Sequence, residues 1–123
     1  MTPQLNPADF VAWLAAQSAA SPLGPFAALP VVLDVREPWE LQTAGVTPAG
    51  FTLLAMPMRE VPARLPELAA LGLDHPLACL CHHGMRSQQV ADYLAHNGFT
   101  EVVNVQGGID AWAQQLDTRV PRY

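Results

Sequence analysis

The sequence contains no lysine. Its six basic residues are all arginine, eleven acidic residues outnumber them, and the formal net charge is −5. Proteins that bind nucleic acid or anionic membrane surfaces without sequence specificity need clustered positive charge. We therefore expect neither kind of partner. The charge does not exclude a small anionic substrate, because one pocket can be positive on an acidic protein.

Long apolar runs are also missing, and no window approaches the ~20 residues that a membrane span needs. The opening stretch, "MTPQLNPADFVAWLAAQ", lacks the basic segment and apolar core of a signal peptide. We expect a cytoplasmic protein. The 123 residues are 50% hydrophobic and 14% charged, which predicts one compact domain over residues 1–123.

Cysteine is scarce, with only Cys79 and Cys81 in the chain. Two cysteines do not make a disulfide framework. Cysteines separated by one residue on a strand also close a poor disulfide ring. We therefore expect two reduced thiols, with Cys79 in the core of an apolar strand.

Strand and helix patterns alternate along the chain. Asn6 as N-cap and Pro7 at the first helical position predict a helix over 6–16, and the proline-rich segment 18–30 predicts a loop. Apolar runs predict strands at 31–35, 51–58, 76–81 and 101–105, and the remaining patterns predict helices at 37–45, 60–72, 86–98 and 107–116. Two prolines can divide the helix at 60–72 into two pieces. The alternation predicts an α/β fold: a single domain with a mainly parallel central sheet flanked by helices on both faces.

Two polar clusters follow predicted strands. Cys81 is the last residue of one strand, and Asp34 to Arg36 close another. In folds of this kind the working site lies at the carboxyl ends of the strands. Both clusters are therefore expected at one edge of the sheet.

The stretch "CHHGMRS", residues 81–87, combines features that activate a thiol. It forms a tight loop at a predicted helix N-terminus, where backbone N–H groups lack helical partners and the helix dipole is positive. Gly84 permits the curled backbone, and Arg86 adds a fixed charge. These features favour a thiolate at Cys81. The same cradle would hold an anion at the sulfur: a sulfane sulfur, a thiosulfate group or an oxyanion.

Two other interpretations compete with the thiolate. A metal site would use Cys79, Cys81, His82, His83 and His75, but zinc sites use spaced ligand pairs from two places in the chain. The spacing therefore disfavours it, and we expect neither metal nor cofactor. A strand-end cysteine can also be purely structural, but the glycine, the arginine and the helix start occur together here, which favours the reactive thiolate.

These motifs resemble a known family. Cys-x-x-Gly-x-Arg-Ser entering a helix, preceded by "LDVREP" and followed by "NVQGGIDAW", is similar to the single-domain rhodaneses, which are sulfurtransferases, over about residues 29–116. The resemblance implies a rhodanese-like fold in which Cys81 takes a sulfane sulfur from a donor such as thiosulfate and passes it to cyanide or a thiol, including a protein thiol. It further implies supporting roles for Ser87, Asp34 and Arg36, and a persulfide cradle closed by the charge of Arg86 and formed by His82, His83, Gly84, Met85 and Arg86.

The sequence departs from the family in two places. The "GHIPGA" that often follows the E-P-x-E helix is replaced by "AGVTPAGFTLLAMP", 44–57, which puts one pocket wall in question. His82 and His83 are larger than many residues of this loop, and either select the donor or cap the loop. Two other functions stay open: a relay module that accepts sulfur from a protein partner, and a phosphatase- or arsenate-reductase-like enzyme. Cysteine-dependent phosphatases resemble this loop but have five residues between cysteine and arginine, where this chain has four.

Overall fold

A five-stranded parallel sheet organises the fold in the computed structural model, which describes residues 2–20 and 29–123. The strand order is β1-β5-β4-β2-β3. The strands are β1 (Gln4–Leu5), β2 (Val31–Asp34), β3 (Thr52–Ala55), β4 (Leu77–Leu80) and β5 (Val102–Val105). The helices are α1 (Pro7–Ala20), α2 (Pro38–Thr43), α3 (Leu65–Ala69), α4 (Met85–His96) and α5 (Gly108–Gln115), with a 3₁₀ helix at Met58–Glu60.

The first helix begins where the sequence predicts it. The Asn6 side chain accepts a hydrogen bond from the Asp9 N–H at 2.8 Å, as an N-cap does. The helix continues to Ala20, so the prediction of a loop from residue 18 is wrong for 18–20. Alanine is the strongest helix former, and two alanines extend this helix. The rest of the predicted loop, 21–28, lies outside the described residues.

Strand β1 was absent from the predicted set. It has two residues, which pair with β5 in the register Gln4↔Asn104 and Leu5↔Val105. Two residues are too few to show a period, so no sequence pattern could reveal this strand. The predicted helix at 60–72 is wrong in its length, since α3 covers only Leu65–Ala69 and the separate 3₁₀ helix before it ends at Glu60.

The core lies on both sides of the sheet. Alternate residues of each strand point to opposite faces, so Leu33 and Cys79 join one cluster with Leu94 of α4, whereas Val32 and Ala78 join the other. The second cluster includes Phe10 of α1 and Trp112 of α5, whose ring centroids are 5.1 Å apart with the ring planes tilted by 48°. The prediction of a parallel sheet with helices on both faces is confirmed, and Cys79 and Trp112 lie in the core.

The two polar clusters meet at the carboxyl edge of the sheet. Strands β2 and β4 are neighbours, with Asp34 opposite Leu80, and the Val35 N–H donates to the Leu80 carbonyl at 2.9 Å. Cys81 is therefore the first residue beyond β4, next to the end of β2. None of the helices in the described ranges has the length and apolar character that a membrane crossing requires.

A glycine from another element holds this edge together. The turn between β5 and α5 places Gly108, with φ +61°, against the backbone after β4. A Cβ at this position would lie 2.4 Å from the carbonyl oxygens of both Cys81 and His82. Those atoms are backbone and cannot move aside independently, so only glycine fits here.

We expect Gly108→Ala to lower the free energy of unfolding by ~2–4 kcal/mol, since it combines a left-handed backbone with overpacking. Gly50→Ala is the control, because Gly50 has a similar φ of +79° but no atom within 4 Å of its added Cβ. It should cost only ~1 kcal/mol. Urea unfolding curves measure both losses, and equal losses would contradict the close approach.

Candidate active site

The sulfur of Cys81 lies at the centre of a ring of hydrogen-bond donors. The Gly84 N–H donates to Sγ at 3.0 Å, and the Ser87 N–H and hydroxyl donate to it at 3.4 and 3.3 Å. Cys81 is 1% exposed. Two of these donors are backbone groups at the start of the 12-residue helix α4, where the dipole is positive. The arrangement stabilises negative charge on the sulfur.

The turn around the sulfur depends on the backbone of Gly84. This residue precedes α4 with φ +98°, a conformation that residues with a Cβ rarely adopt. A Cβ here would also lie 3.0 Å from the Gly107 nitrogen. Glycine therefore lets the chain reverse so that its own N–H faces Cys81.

Helix α5 holds the outer side of the same loop. The Ile109 N–H donates to the Cys81 carbonyl at 2.8 Å, and the Asp110 N–H donates to the His82 carbonyl at 3.1 Å. Both carbonyls thus point away from the sulfur, toward the first turn of α5. The side of the loop that faces the sulfur is left to N–H donors.

A buried ion pair lies beside the loop at the end of β2. The side chains of Asp34 and Arg36 are joined by two hydrogen bonds, Nη2 to Oδ2 at 2.7 Å and Nε to Oδ1 at 2.9 Å, and the Arg36 backbone N–H donates to Oδ1 at 3.2 Å. The Arg36 Nη1 also donates to the Glu40 carbonyl and the Tyr123 hydroxyl, at 3.2 and 3.0 Å. Burial opposes the charge of Arg36, but its bonds to Asp34 and Tyr123 raise its pKa above the ordinary value. This pair braces α2 against the sheet rather than reaching the sulfur.

Arg86 is held by a carboxylate from α2. Its Nη1 and Nη2 donate to the two oxygens of Glu40 at 2.7 and 2.8 Å, and the Tyr123 hydroxyl donates to the same carboxylate at 2.8 Å. The bonds from Arg86, and secondarily the one from Tyr123, lower the pKa of Glu40, although burial opposes this. Arg86 therefore lies at the site as the cation of an ion pair with Glu40 that has no net charge.

The two histidines stand at the mouth of the loop. The His82 ring is stacked between Tyr123, at 3.8 Å and 7°, and His83, at 3.9 Å. The His82 Nε2 is buried and has no hydrogen-bond partner among the described residues. The His83 side chain is exposed, with Nδ1 4.0 Å from an Asp110 oxygen, and the exposed fraction of Met85 is 77%. Among residues 2–20 and 29–123, no three His, Cys, Asp or Glu side chains converge as potential metal ligands.

The structure places the predicted site residues at this edge of the sheet, although the Met85 side chain is largely exposed to solvent, and it adds three residues that the sequence does not predict. Ser87 contacts the sulfur directly, whereas Asp34 and Arg36 act one layer away. The additional residues are Glu40, Tyr123 and Asn104, whose side-chain amide donates to the Gly84 carbonyl at 3.1 Å. Glu40 is 4% exposed and Asn104 is 1% exposed, and a buried polar residue in an apolar strand such as "VVNV" is the signal that could have revealed Asn104.

Comparison with known proteins assigns the chain to a family. The model of the rhodanese-like domain matches residues 11–115. Thiosulfate sulfurtransferase GlpE from Pseudoalteromonas translucida is 32% identical over 92 residues, covering 75% of this chain and 81% of that protein. A rhodanese-related protein from Thermoplasma volcanium has a similar structure, with a TM-score of 0.68, 26% identity and 93% coverage of both chains.

Longer proteins contain similar segments. The chain covers 30% of Arabidopsis thaliana rhodanese-like/PpiC domain-containing protein 12, at 36% identity, and 20% of Zea mays adenylyltransferase and sulfurtransferase MOCS3-1, at 32% identity. The chain thus spans less than a third of these relatives. The match to the family model, residues 11–115, contains the segment from Asp34 to Gly108 that forms this edge of the sheet. The chain belongs to the rhodanese-like domain family and is related to its sulfurtransferases.

Proposed function

We propose that the protein is a sulfurtransferase that moves sulfane sulfur from a donor such as thiosulfate to a thiophilic acceptor, through a persulfide on Cys81. The observation that carries the proposal is the convergence of three donors on the Cys81 sulfur at 3.0–3.4 Å. Family membership supports the class of reaction. We place the reaction in the cytoplasm, where reducing conditions keep thiols unpaired.

The first half-reaction loads the sulfur. The Cys81 thiolate attacks the outer sulfur of thiosulfate, a new S–S bond forms, and the bond between the two thiosulfate sulfurs breaks. Sulfite leaves with the electron pair, so no external oxidant is needed. The new sulfur lies about 2.05 Å from Sγ. Its negative charge is held in the loop whose inward N–H groups already face the sulfur.

The second half-reaction transfers the sulfur from Cys81 to an acceptor. Cyanide, or a thiolate acceptor, attacks the outer sulfur and forms thiocyanate or a new persulfide. The S–S bond to Cys81 breaks, and the electron pair returns to Sγ. The bonds from Gly84 and Ser87 stabilise the thiolate leaving group.

Cys79 has the wrong surroundings for either step. It is fully buried, and this burial, with a smaller effect of Cys81, raises the pKa of the Cys79 thiol to about 12. At neutral pH it is a protonated thiol in the core, and thiols are poor nucleophiles.

We expect Cys81→Ser to abolish thiosulfate:cyanide sulfur transfer, at least 1,000-fold, because a serine hydroxyl cannot hold a persulfide. Cys79→Ala, which removes the other sulfur without adding a buried hydroxyl, should keep activity within about threefold of the unmodified protein. Steady-state assays measure both, with circular dichroism to verify folding. Comparable activity in Cys81→Ser would contradict the proposal.

Intact-protein mass distinguishes the enzyme from the relay module that the sequence left open. We expect one added sulfur, on Cys81 only, after mixing the protein with thiosulfate. Failure to load from thiosulfate, with loading from a persulfidated protein donor, would replace the enzyme by a relay. The relationship to the maize MOCS3-1 protein supports testing a protein partner.

The pairing of Arg86 with Glu40 makes a further prediction possible. Because both Nη atoms of Arg86 contact Glu40, we propose that Arg86 acts by fixing the start of α4 rather than by binding the donor anion itself. Arg86→Gln and Glu40→Gln should then each slow sulfur loading by about tenfold. The double variant should be no slower than either single variant, which corresponds to a coupling free energy of ~1–2 kcal/mol. Single-turnover loading measures this cycle. Faster loading in Glu40→Gln would show instead that Arg86, once released, binds the donor.

Phosphatase activity is the remaining alternative, and the loop disfavours it. Four residues separate Cys81 from Arg86, and the donors already lie at 3.0–3.4 Å from Sγ, which leaves room for one sulfur better than for a tetrahedral phosphoryl group. The neighbouring carboxylates are also unsuitable general acids. Arg86 lowers the pKa of Glu40, and Arg122 lowers the pKa of Asp110, so both are ionised at neutral pH.

We therefore expect no useful hydrolysis of p-nitrophenyl phosphate by protein that is active in sulfur transfer. Cys81→Ser gives the background rate. Aryl phosphate turnover that depends on Cys81 and rivals sulfur transfer would overturn the assignment.

A further inference from the structure

Asn104 is a polar residue in an otherwise apolar strand. It is the third residue of β5, "VVNV", and it lies opposite Cys79 in the neighbouring strand. The residue is 1% exposed. Burial of a carboxamide is unfavourable unless its donors and acceptor are hydrogen-bonded, so the position of this side chain requires a reason.

The amide is oriented by a backbone carbonyl. Its Nδ2 donates to the Gly84 carbonyl at 3.1 Å and to the Gln4 Oε1 at 2.8 Å, with the Gln88 Oε1 farther away at 3.5 Å. A backbone carbonyl can only accept, so the nitrogen must face Gly84. The Asn104 Oδ1 consequently has no partner among the described residues, although it is buried. The orientation that places an N–H against Gly84 therefore leaves a buried acceptor unsatisfied, which is unfavourable for the stability of the fold.

Gly84 links this amide to the reactive sulfur. While its carbonyl accepts from Asn104, its N–H donates to the Cys81 Sγ at 3.0 Å. Because Gly84 has no Cβ, its backbone at φ +98° can rotate to neighbouring conformations without a steric clash of its own. Two donors hold the Gly84 carbonyl, the Gln88 N–H of α4 and the Asn104 amide, each at 3.1 Å. Of these two, only the Asn104 amide comes from outside the loop and its own helix.

We propose that Asn104 is a positioning residue for sulfur transfer: it holds the Gly84 carbonyl so that the Gly84 N–H points at the Cys81 sulfur. This inference rests on the proposed function. Asn104 does not touch the sulfur. Its effect should appear in the rate of loading, because the negative charge on the loaded sulfur is stabilised by this N–H.

The substitution Asn104→Asp tests the donor itself. A protonated carboxyl group has an O–H that can donate to the Gly84 carbonyl, whereas a carboxylate can only repel it. Burial raises the pKa of such a carboxyl above its ordinary value. Loading by Asn104→Asp, divided by loading of the unmodified protein, should therefore be at least tenfold higher at pH 5 than at pH 8. Asn104→Leu, of similar size but with no donor, should be at least tenfold slow at both pH values.

Dividing the loading rate of each variant by that of the unmodified protein at the same pH removes the effect of the other titratable groups near this site. The hydrogen-bond partners of the Asn104 side chain do not titrate, as they are the Gln4 and Gln88 side chains and the Gly84 carbonyl. The titratable groups farther out are Asp92, which accepts from Gln88 at 2.8 Å, the buried Cys79 thiol, and His83, which shares with Asn104 the lining of a cavity of about 360 Å³. All of them, and Cys81 itself, are present in every variant.

Gln4→Ala is the matched control. It removes the other close acceptor of the Asn104 amide but leaves the contact with Gly84, so it should load sulfur within about threefold of the unmodified protein. Single-turnover loading is followed by intact mass, and circular dichroism at each pH restricts the comparison to folded protein. If Asn104→Leu does not fold, Asn104→Ala takes its place.

Three results separate the possibilities. No loading of the unmodified protein means that the proposed function is wrong, independently of Asn104. Normal loading of the unmodified protein, with a flat ratio for Asn104→Asp between pH 5 and pH 8, overturns the positioning role. Loading of the Leu or Ala variant at the unmodified rate overturns it as well.

Discussion

The close approach of Gly108 to the backbone of Cys81 and His82 is the constraint on which the site depends. It brings the first turn of α5 within hydrogen-bond distance of both carbonyls. Once these carbonyls are bound on the outer side, the inner side of the loop presents N–H groups to the sulfur. The reactivity of the Cys81 sulfur, in the loop that follows β4, therefore depends on the turn after β5, more than twenty residues later in the sequence. A side chain at that turn would separate the two elements.

The charges around the site form a second layer with a different purpose. Asp34, Arg36, Glu40 and Arg86 carry two positive and two negative charges, and Tyr123 joins the pairs by accepting from Arg36 and donating to Glu40. Buried ion pairs contribute little net stability, because desolvation offsets their attraction. Their value here is geometric. They fix α2 relative to the start of α4, and so fix the donors that face Cys81.

The sequence was sufficient for the architecture because the architecture follows from periodic patterns. The apolar strands, the Asn6 cap and the glycine turns act over a few residues and leave local signals. The two-residue strand β1 leaves none, since its existence depends on pairing with β5. Loop residues 81–87 could be nominated from their motif. Glu40 and Tyr123 could not, because a glutamate in a short helix and a distant tyrosine meet only when the chain folds. Arg86 illustrates the difference: its presence was evident from the sequence, but its partner was not.

The burial of Cys81 also determines what can react with it. A disulfide between two copies of the chain requires Cα atoms about 4.4–6.8 Å apart. Because Cys81 is only 1% exposed, its sulfur cannot approach another copy so closely without opening of the loop. Small molecules such as thiosulfate or cyanide do not need this close approach of two protein backbones. In the proposed reaction, the transferred sulfur lies one S–S bond length, about 2.05 Å, beyond Sγ. Burial of Cys81 thus protects the thiol from dimerisation, whereas the sulfur that it would carry in the proposed reaction lies one bond length farther from the backbone.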